Sequence, residues 1–246
     1  MKWKLTQMAA LALLGVAARA TAQGTFEGMV AGTMTADGKV VSFRQYLSGA
    51  RSRQEYDMQG QTAVMIMDGT TGDEITLIPQ QKKYLVMNMH QMGEAARQMA
   101  GALPGGRAQT KGPGDISKMK VTATGRRETI AGITCEHFEI SDATKPNRAP
   151  MDMCGAPGMG FSMFGGVNGN AARSGAAAQH IDNPVFARMM RDGFFLLKMT
   201  IIDEHNKTMT WVVTQVDRRR PAASLFAPPP GYTKFEMPGM GGGSRH

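Results

Sequence analysis

Apolar and polar positions alternate through most of the chain. The alternation is interrupted every few residues by glycine, proline, asparagine or aspartate. That pattern predicts a run of antiparallel strands. Residues 26–34 read as the first strand, Asp37-Gly38 as a two-residue turn of the kind hairpins prefer, and 40–47 as the returning strand. Strands over 51–56, 62–67, 74–78 and 83–89 follow, with turns at Gln59-Gly60, Asp68-Gly69 and 79–82 between them. Together they form a continuous meander.

The period then changes. Over 91–103, Met92, Ala96, Met99 and Leu103 fall on one helical stripe, which Pro104-Gly105-Gly106 ends. Strands are expected again over 119–126 and 134–140, joined at Ala131-Gly132. Residues 144–179, rich in Gly, Pro and Met, read as an irregular insertion. Asn183-Pro184 is a helix start, Asn as cap and Pro at the first helical position. That helix has Val185, Phe186, Met189 and Met190 as its apolar face, and Gly193 stops it. A hairpin follows, 194–202 and 209–216 around a polar break. In its second run Met209, Trp211 and Val213 share one face. Its first run is apolar on nearly both faces, so it needs cover on both sides. Read with the meander, this hairpin closes one curved sheet as its last pair of strands. Leu225 and Phe226 are the expected anchors of a Pro-broken connection, 231–235 an edge strand, and 237–246 a disordered tail.

Composition adds a compartment. Lys2 and Lys4, a short apolar stretch over 8–18 and Ala20-Thr21-Ala22 have the form of a secretory signal peptide over 1–22, cut between Ala22 and Gln23. An uncleaved anchor is the alternative, but the apolar run falls short of the ~20 residues a span needs. The expectation is a periplasmic or secreted protein with one β domain over 23–236 and no transmembrane segment. The formal charge is +8. The basic residues are scattered except for Arg218-Arg219-Arg220, so no nucleic-acid partner is expected. Two cysteines, Cys135 and Cys154, in an oxidising compartment favour a disulfide.

The residues also carry a resemblance. The strand F-E-G-x-V (26–30), R-x-R-Q-E-Y (51–56), I-A-G-I-T-C-E-H-F-E-I (130–140) with a second Cys, and L-F-x-x-P-x-G-Y (225–232) resemble a family of secreted bacterial proteins of unknown function. That family is grouped with the LolA/LolB-like lipoprotein-carrier superfamily. The resemblance implies a mainly β (α+β) fold, a strongly curved antiparallel sheet or incomplete barrel with two short helices across its open side. In the carriers the concave face is an apolar cavity for acyl chains. No catalytic residue comes over with these motifs.

Methionine is the compositional oddity, at 22 residues. Met65 with Met67, and Leu85 with Met87 and Met89, share strand faces, and Met suits surfaces that adapt to varied apolar partners. An ordinary core using Met in place of Leu is the plain alternative. The candidate cavity lining is Met65, Met67, Leu85, Met87, Met89, Phe186, Met189, Met190, Phe195, Leu197, Met199 and Trp211. A sharper alternative is Cu(I), for which Met87, Met89, His90 and Met92 offer soft ligands. A structural or interaction module of the cell envelope is the third. The chain has neither H-E-x-x-H nor G-x-S-x-G, and its Gly-rich run lacks the Lys and Ser/Thr of a phosphate loop. No enzyme and no cofactor is expected. The expected function is non-enzymatic binding of an apolar ligand: a lipid, an acyl chain or a hydrophobic segment of an envelope protein.

Overall fold

The first hairpin shows how local chemistry builds the sheet. Asp37 and Gly38 both adopt positive φ, 50° and 73°, the pair of values a type I′ turn requires and that suits the right-handed twist of its strands. Ala131-Gly132 repeats the device, at 49° and 77°. In a computed structural model, residues 26–58, 60–92, 119–145, 148–160, 183–203 and 205–235 are described. The expected signal peptide, most of the first helix and the C-terminal tail lie outside them.

The strands are β1 (Gly28–Ala36), β2 (Lys39–Ser48), β3 (Arg51–Met58), β4 (Gln61–Asp68), β5 (Asp73–Ile78), β6 (Lys83–Asn88), β7 (Met119–Ile130), β8 (Ile133–Asp142), β9 (Met151–Ala156), β10 (Phe195–Ile202), β11 (Thr208–Asp217) and β12 (Thr233–Lys234). They make one curved, open 12-stranded sheet in the order β12-β6-β5-β4-β3-β2-β1-β11-β10-β9-β8-β7. Among the described residues all pairings are antiparallel except β12 on β6, which is parallel.

Two expectations need correction. The C-terminal hairpin is not the last pair of the sheet. β11 pairs with β1 and β10 with β9, so the hairpin lies in the middle and joins the meander to β7–β9. This explains its doubly apolar first strand, where Phe195, Leu196 and Leu197 are all buried. The expected irregular insertion is also not irregular throughout, because Met151–Ala156 forms β9 between β8 and β10. Six residues without a β-branched side chain become a strand because two neighbours supply both ladders of hydrogen bonds.

The α-helix that is described in full, α1 (Pro184–Arg191), begins as expected. Asn183 Oδ1 accepts from the backbone N–H groups of Val185 (3.0 Å) and Phe186 (3.1 Å), a cap that contributes about 1 kcal/mol. Phe186 and Met189 are its buried residues. Arg188 fastens the helix to the sheet. Its Nη2 donates to Glu136 Oε2 at 2.7 Å, and its guanidinium lies over the rings of Phe138 and Phe194 at 5.7 and 5.6 Å.

Register defines an inner face, on the α1 side. Phe43, Trp211, Met199, Met153 and Phe138 lie along it through successive pairings, with Phe43 and Trp211 stacked at 4.7 Å. Close approach here depends on Gly32, where an added Cβ would meet Val212 O at 2.1 Å and the Phe43 ring at 2.6 Å. A second, smaller core lies on the outer face of β3–β6. There Val64, Ile66 and Leu77 are covered by Phe226, with Leu225 and Tyr232 beside it. Arg53 reaches out to the Leu225 carbonyl (3.1 Å) and Arg51 lies over the Phe226 ring. The expected anchoring by Leu225 and Phe226 is therefore the cover of the outer face, which leaves the inner face of those strands to other contacts.

Candidate functional site

Two rows of side chains cross the inner face of β2–β6. One runs Gln45, Gln54, Met65, Thr76, Leu85, and the other Leu47, Ser52, Met67, Glu74, Met87. Met65, Met67, Leu85 and Met87 are half-buried, while Val64 and Ile66, which alternate with the two methionines of β4, turn to the outer core. The strand period of two separates these sets, as the alternation predicts.

The polar members of these rows were not anticipated. Gln45, Ser52 and Gln54 are buried at 3%, 1% and 7% exposure. Tyr56 donates its hydroxyl to Gln54 Oε1 at 2.9 Å, and burial raises the Tyr56 pKa. Ser52 Oγ is buried and has no hydrogen-bond partner among the described residues. Leaving such a hydroxyl unpaired costs about 1–3 kcal/mol. The inner face thus changes from an apolar core at β1, β11 and β10 to a mixed floor of thioethers and a few polar groups at β2–β6.

The other candidate lining residues are distributed differently. Phe186, Met189, Phe195, Leu197, Met199 and Trp211 belong to the buried main core, with Met190 packed against it. A bulge between Leu196 and Lys198 separates Phe195 from Met199. Phe195 pairs with Ala156 and Met199 with Met153, three positions apart on β9 and so on opposite faces. The candidate lining that grouped Phe195 with Met199 is therefore divided between the two faces.

Met89 does not share a strand face with Met87. β6 ends at Asn88, and residues 89–92 are helical. Asn88 causes the break: its Oδ1 accepts from the Gln91 N–H (3.0 Å), while its Nδ2 donates to Thr71 O and Asp73 Oδ1. An Asn followed three positions later by Gln is a helix-start pattern, and it was the missed signal. Met87 is half-buried on the sheet, whereas Met89, His90 and Met92 are exposed on the helical turn. The expected soft-ligand set is therefore split between two elements.

On the outer face of β7–β10 a second group of side chains comes together. His137 is 4% exposed. Its Nδ1 faces the Asp152 carboxylate at 3.0 and 3.1 Å, and its Nε2 faces Glu128 Oε2 at 3.1 Å. Arg126 donates to Asp152 at 2.7 Å, and Lys198 Nζ lies 3.0 Å from both Glu128 oxygens. The expected disulfide joins Cys135 and Cys154 in this group. C-x-H on β8 and D-x-C on β9 put these residues on one strand face, a signal readable from spacing alone. The Arg218-Arg219-Arg220 cluster makes separate contacts, with the Phe26 ring, Asp217 and Glu27.

The hydrogen bond from Lys198, opposed in part by burial, holds the Glu128 carboxyl below the ordinary carboxylate range. A depressed folded value means the stabilisation is present above the unfolded value of about 4.3 and is lost as pH falls through the folded one. Urea midpoints measured from neutral pH downward should fall less steeply in Glu128→Gln than in the wild type below that point. Parallel acid limbs would show that Glu128 contributes nothing.

These features define a mainly β protein on one curved, open sheet, with α1 on the inner face near β8 and an outer face that is apolar and covered over β3–β6 but charged and disulfide-linked over β7–β10. The family model described as Domain of unknown function (DUF4412) matches residues 26–232, and the chain belongs to that family. Among solved structures it is similar to an uncharacterized conserved protein from Thermus thermophilus, at 8% identity over 85% of this chain and 90% of that one, with TM-score 0.45. It is also similar to MucB, in a complex with MucA(peri), at 12% identity, 83% and 54% coverage and TM-score 0.40; the chain spans about half of MucB. A LolA superfamily protein from Nitrosomonas europaea shows 12% identity, 84% and 91% coverage and TM-score 0.29. No curated protein matches the chain. Among the described residues no helix is long and apolar enough to cross a membrane.

Proposed function

We propose that the protein is an exported, non-enzymatic binder of an apolar ligand, a lipid or acyl chain or a hydrophobic segment of an envelope protein, held against the inner face of β3–β6. The observation that carries this reading is the mixed floor. Met65, Met67, Leu85 and Met87 are half-buried on the face the main core continues onto, and Ser52 presents among them a buried hydroxyl with no partner among the described residues. Binding sites are mostly apolar with a few placed polar groups, and Met conforms to chains of varied shape. Export rests on the N-terminal charge, apolar run and small-residue pattern.

Native mass spectrometry of protein purified from its own cells, with lipid extraction of the same sample, tests the idea. A co-purifying apolar molecule is expected, along with uptake of a fluorescent fatty acid. Met65→Gln/Met67→Gln should weaken that uptake at least tenfold, the equivalent of ~1.4 kcal/mol. Delipidated, folded wild-type protein that takes up no fatty acid would sink the proposal. A mature N-terminus at Gln23 is the matching expectation for export.

A further inference from the structure

The outer-face group around His137 takes no part in that function, yet its donors converge. A ring nitrogen of His137, a carboxylate oxygen of Glu128 and the Cys154 sulfur all lie within 4.8 Å of one another. Cys135, bonded to Cys154, sits directly across from Glu128 on β7. We propose that the Cys135–Cys154 disulfide conceals a Zn²⁺ site, and that its reduction lets Cys135, Cys154, His137 and Glu128 bind the ion.

Three features support it. Two thiolates, an imidazole and a carboxylate are a donor set that tetrahedral zinc accepts. His137 is also oriented as a ligand: Asp152 holds Nδ1 while Nε2 points at Glu128. A carboxylate on the far nitrogen is the arrangement that fixes the tautomer and direction of metal-binding histidines. The charges also balance. Zn²⁺ offsets the two thiolates, while Lys198 and Arg126, already on Glu128 and Asp152, offset the carboxylates. Glu128 keeps one oxygen on Lys198 and turns the other to the metal.

In the disulfide the sulfurs hold no thiolate, which is the ligand form. A dithiol reductant opens it by exchange. Two electrons and two protons pass to the cysteine sulfurs, and the reductant becomes a disulfide. Binding of Zn²⁺ then expels the two thiol protons. A disulfide oxidant reverses the sequence, re-forming the Cys135–Cys154 bond and releasing the ion. The chain would thus carry a metal while reduced and a covalent link once oxidised, with the same strands held either way.

The full protein, reduced by a phosphine and titrated with Co²⁺ as a probe of the zinc site, tests this. One ion per chain is expected, with the thiolate charge-transfer and intense visible bands of a tetrahedral site, all displaced by Zn²⁺. Oxidised protein should show none of these. Asp152→Asn should weaken binding by about 10–100-fold, the cost of losing an outer carboxylate. If the reduced chain unfolds without metal, Zn²⁺ should restore its β-sheet circular dichroism. Equal binding by Cys135→Ala/Cys154→Ala, or a reduced chain that neither binds Co²⁺ nor refolds with Zn²⁺, overturns the proposal.

Discussion

Phe138→Ala is expected to lower stability by about 3–5 kcal/mol, the usual cost of emptying a fully buried aromatic site. Phe138 is wholly buried. Its ring meets Phe194 edge-on at 5.4 Å and 83°, and Arg188 of α1 lies over both rings. The truncation therefore removes apolar burial, an aromatic pair and half the seat of the guanidinium that bonds Glu136. Domains are stable by only about 5–15 kcal/mol, so the loss should shift the urea midpoint substantially at unchanged slope. Phe138→Leu, nearer in volume, should cost far less. A Phe138→Ala loss under ~1 kcal/mol would mean that α1 and this end of the inner face are not packed as described.

Removing the disulfide is the second large effect. Cys135 and Cys154 are separated by 19 positions, and closing a loop of that size is worth about 3 kcal/mol in the chain-entropy model. Both residues are fully buried, so alanine is the replacement that leaves no unpaired hydroxyl. In metal-free buffer Cys135→Ala/Cys154→Ala should melt lower than the oxidised protein. Its hydrogen exchange should rise first in β7–β9, the three strands at one end of the sheet. Intact mass should gain two hydrogens on reduction of the wild type. Two free thiols in protein folded after export, or equal melting of oxidised and cysteine-free chains, would contradict it.

Local chemistry explains why so much of the strand pattern was legible. The expected strands at 40–47, 51–56, 62–67, 74–78, 119–126, 134–140, 194–202 and 209–216 each fall on an observed one. The turns between them rest on residues such as Asp37-Gly38 and Ala131-Gly132, whose backbone angles belong to those few positions. The Asn183 cap and the Phe226 anchor are likewise short-range or composition-based signals. Misreadings arose where a neighbour in space decided the outcome. β9 is a strand because β8 and β10 flank it. Phe195 and Met199 part because the register slips by one residue within β10. Met89 leaves β6 because Asn88 spends its side chain on Thr71, Asp73 and Gln91.

The candidate site follows the same division. Met65 with Met67, and Leu85 with Met87, could each be placed on one face of their own strand from spacing, and pairing through β5 puts both sets on one sheet face. That Gln45, Ser52 and Gln54 share that face depends on pairing across β2, β3 and β4, which alternation within one strand does not record.

By itself the sequence determined most of the strands, their turns, the Asn183 helix start and the two cysteines available for pairing, because each depends on residues a few positions apart. Only the tertiary structure decided that the C-terminal hairpin lies at the centre of the sheet, that its C-terminal extension covers the outer rather than the inner face, and that His137 meets Asp152, Glu128 and the disulfide. Strand order and register are set by contacts between residues far apart in the chain. An amphipathic strand satisfies its own pattern beside many possible neighbours, and only the packed sheet selects one.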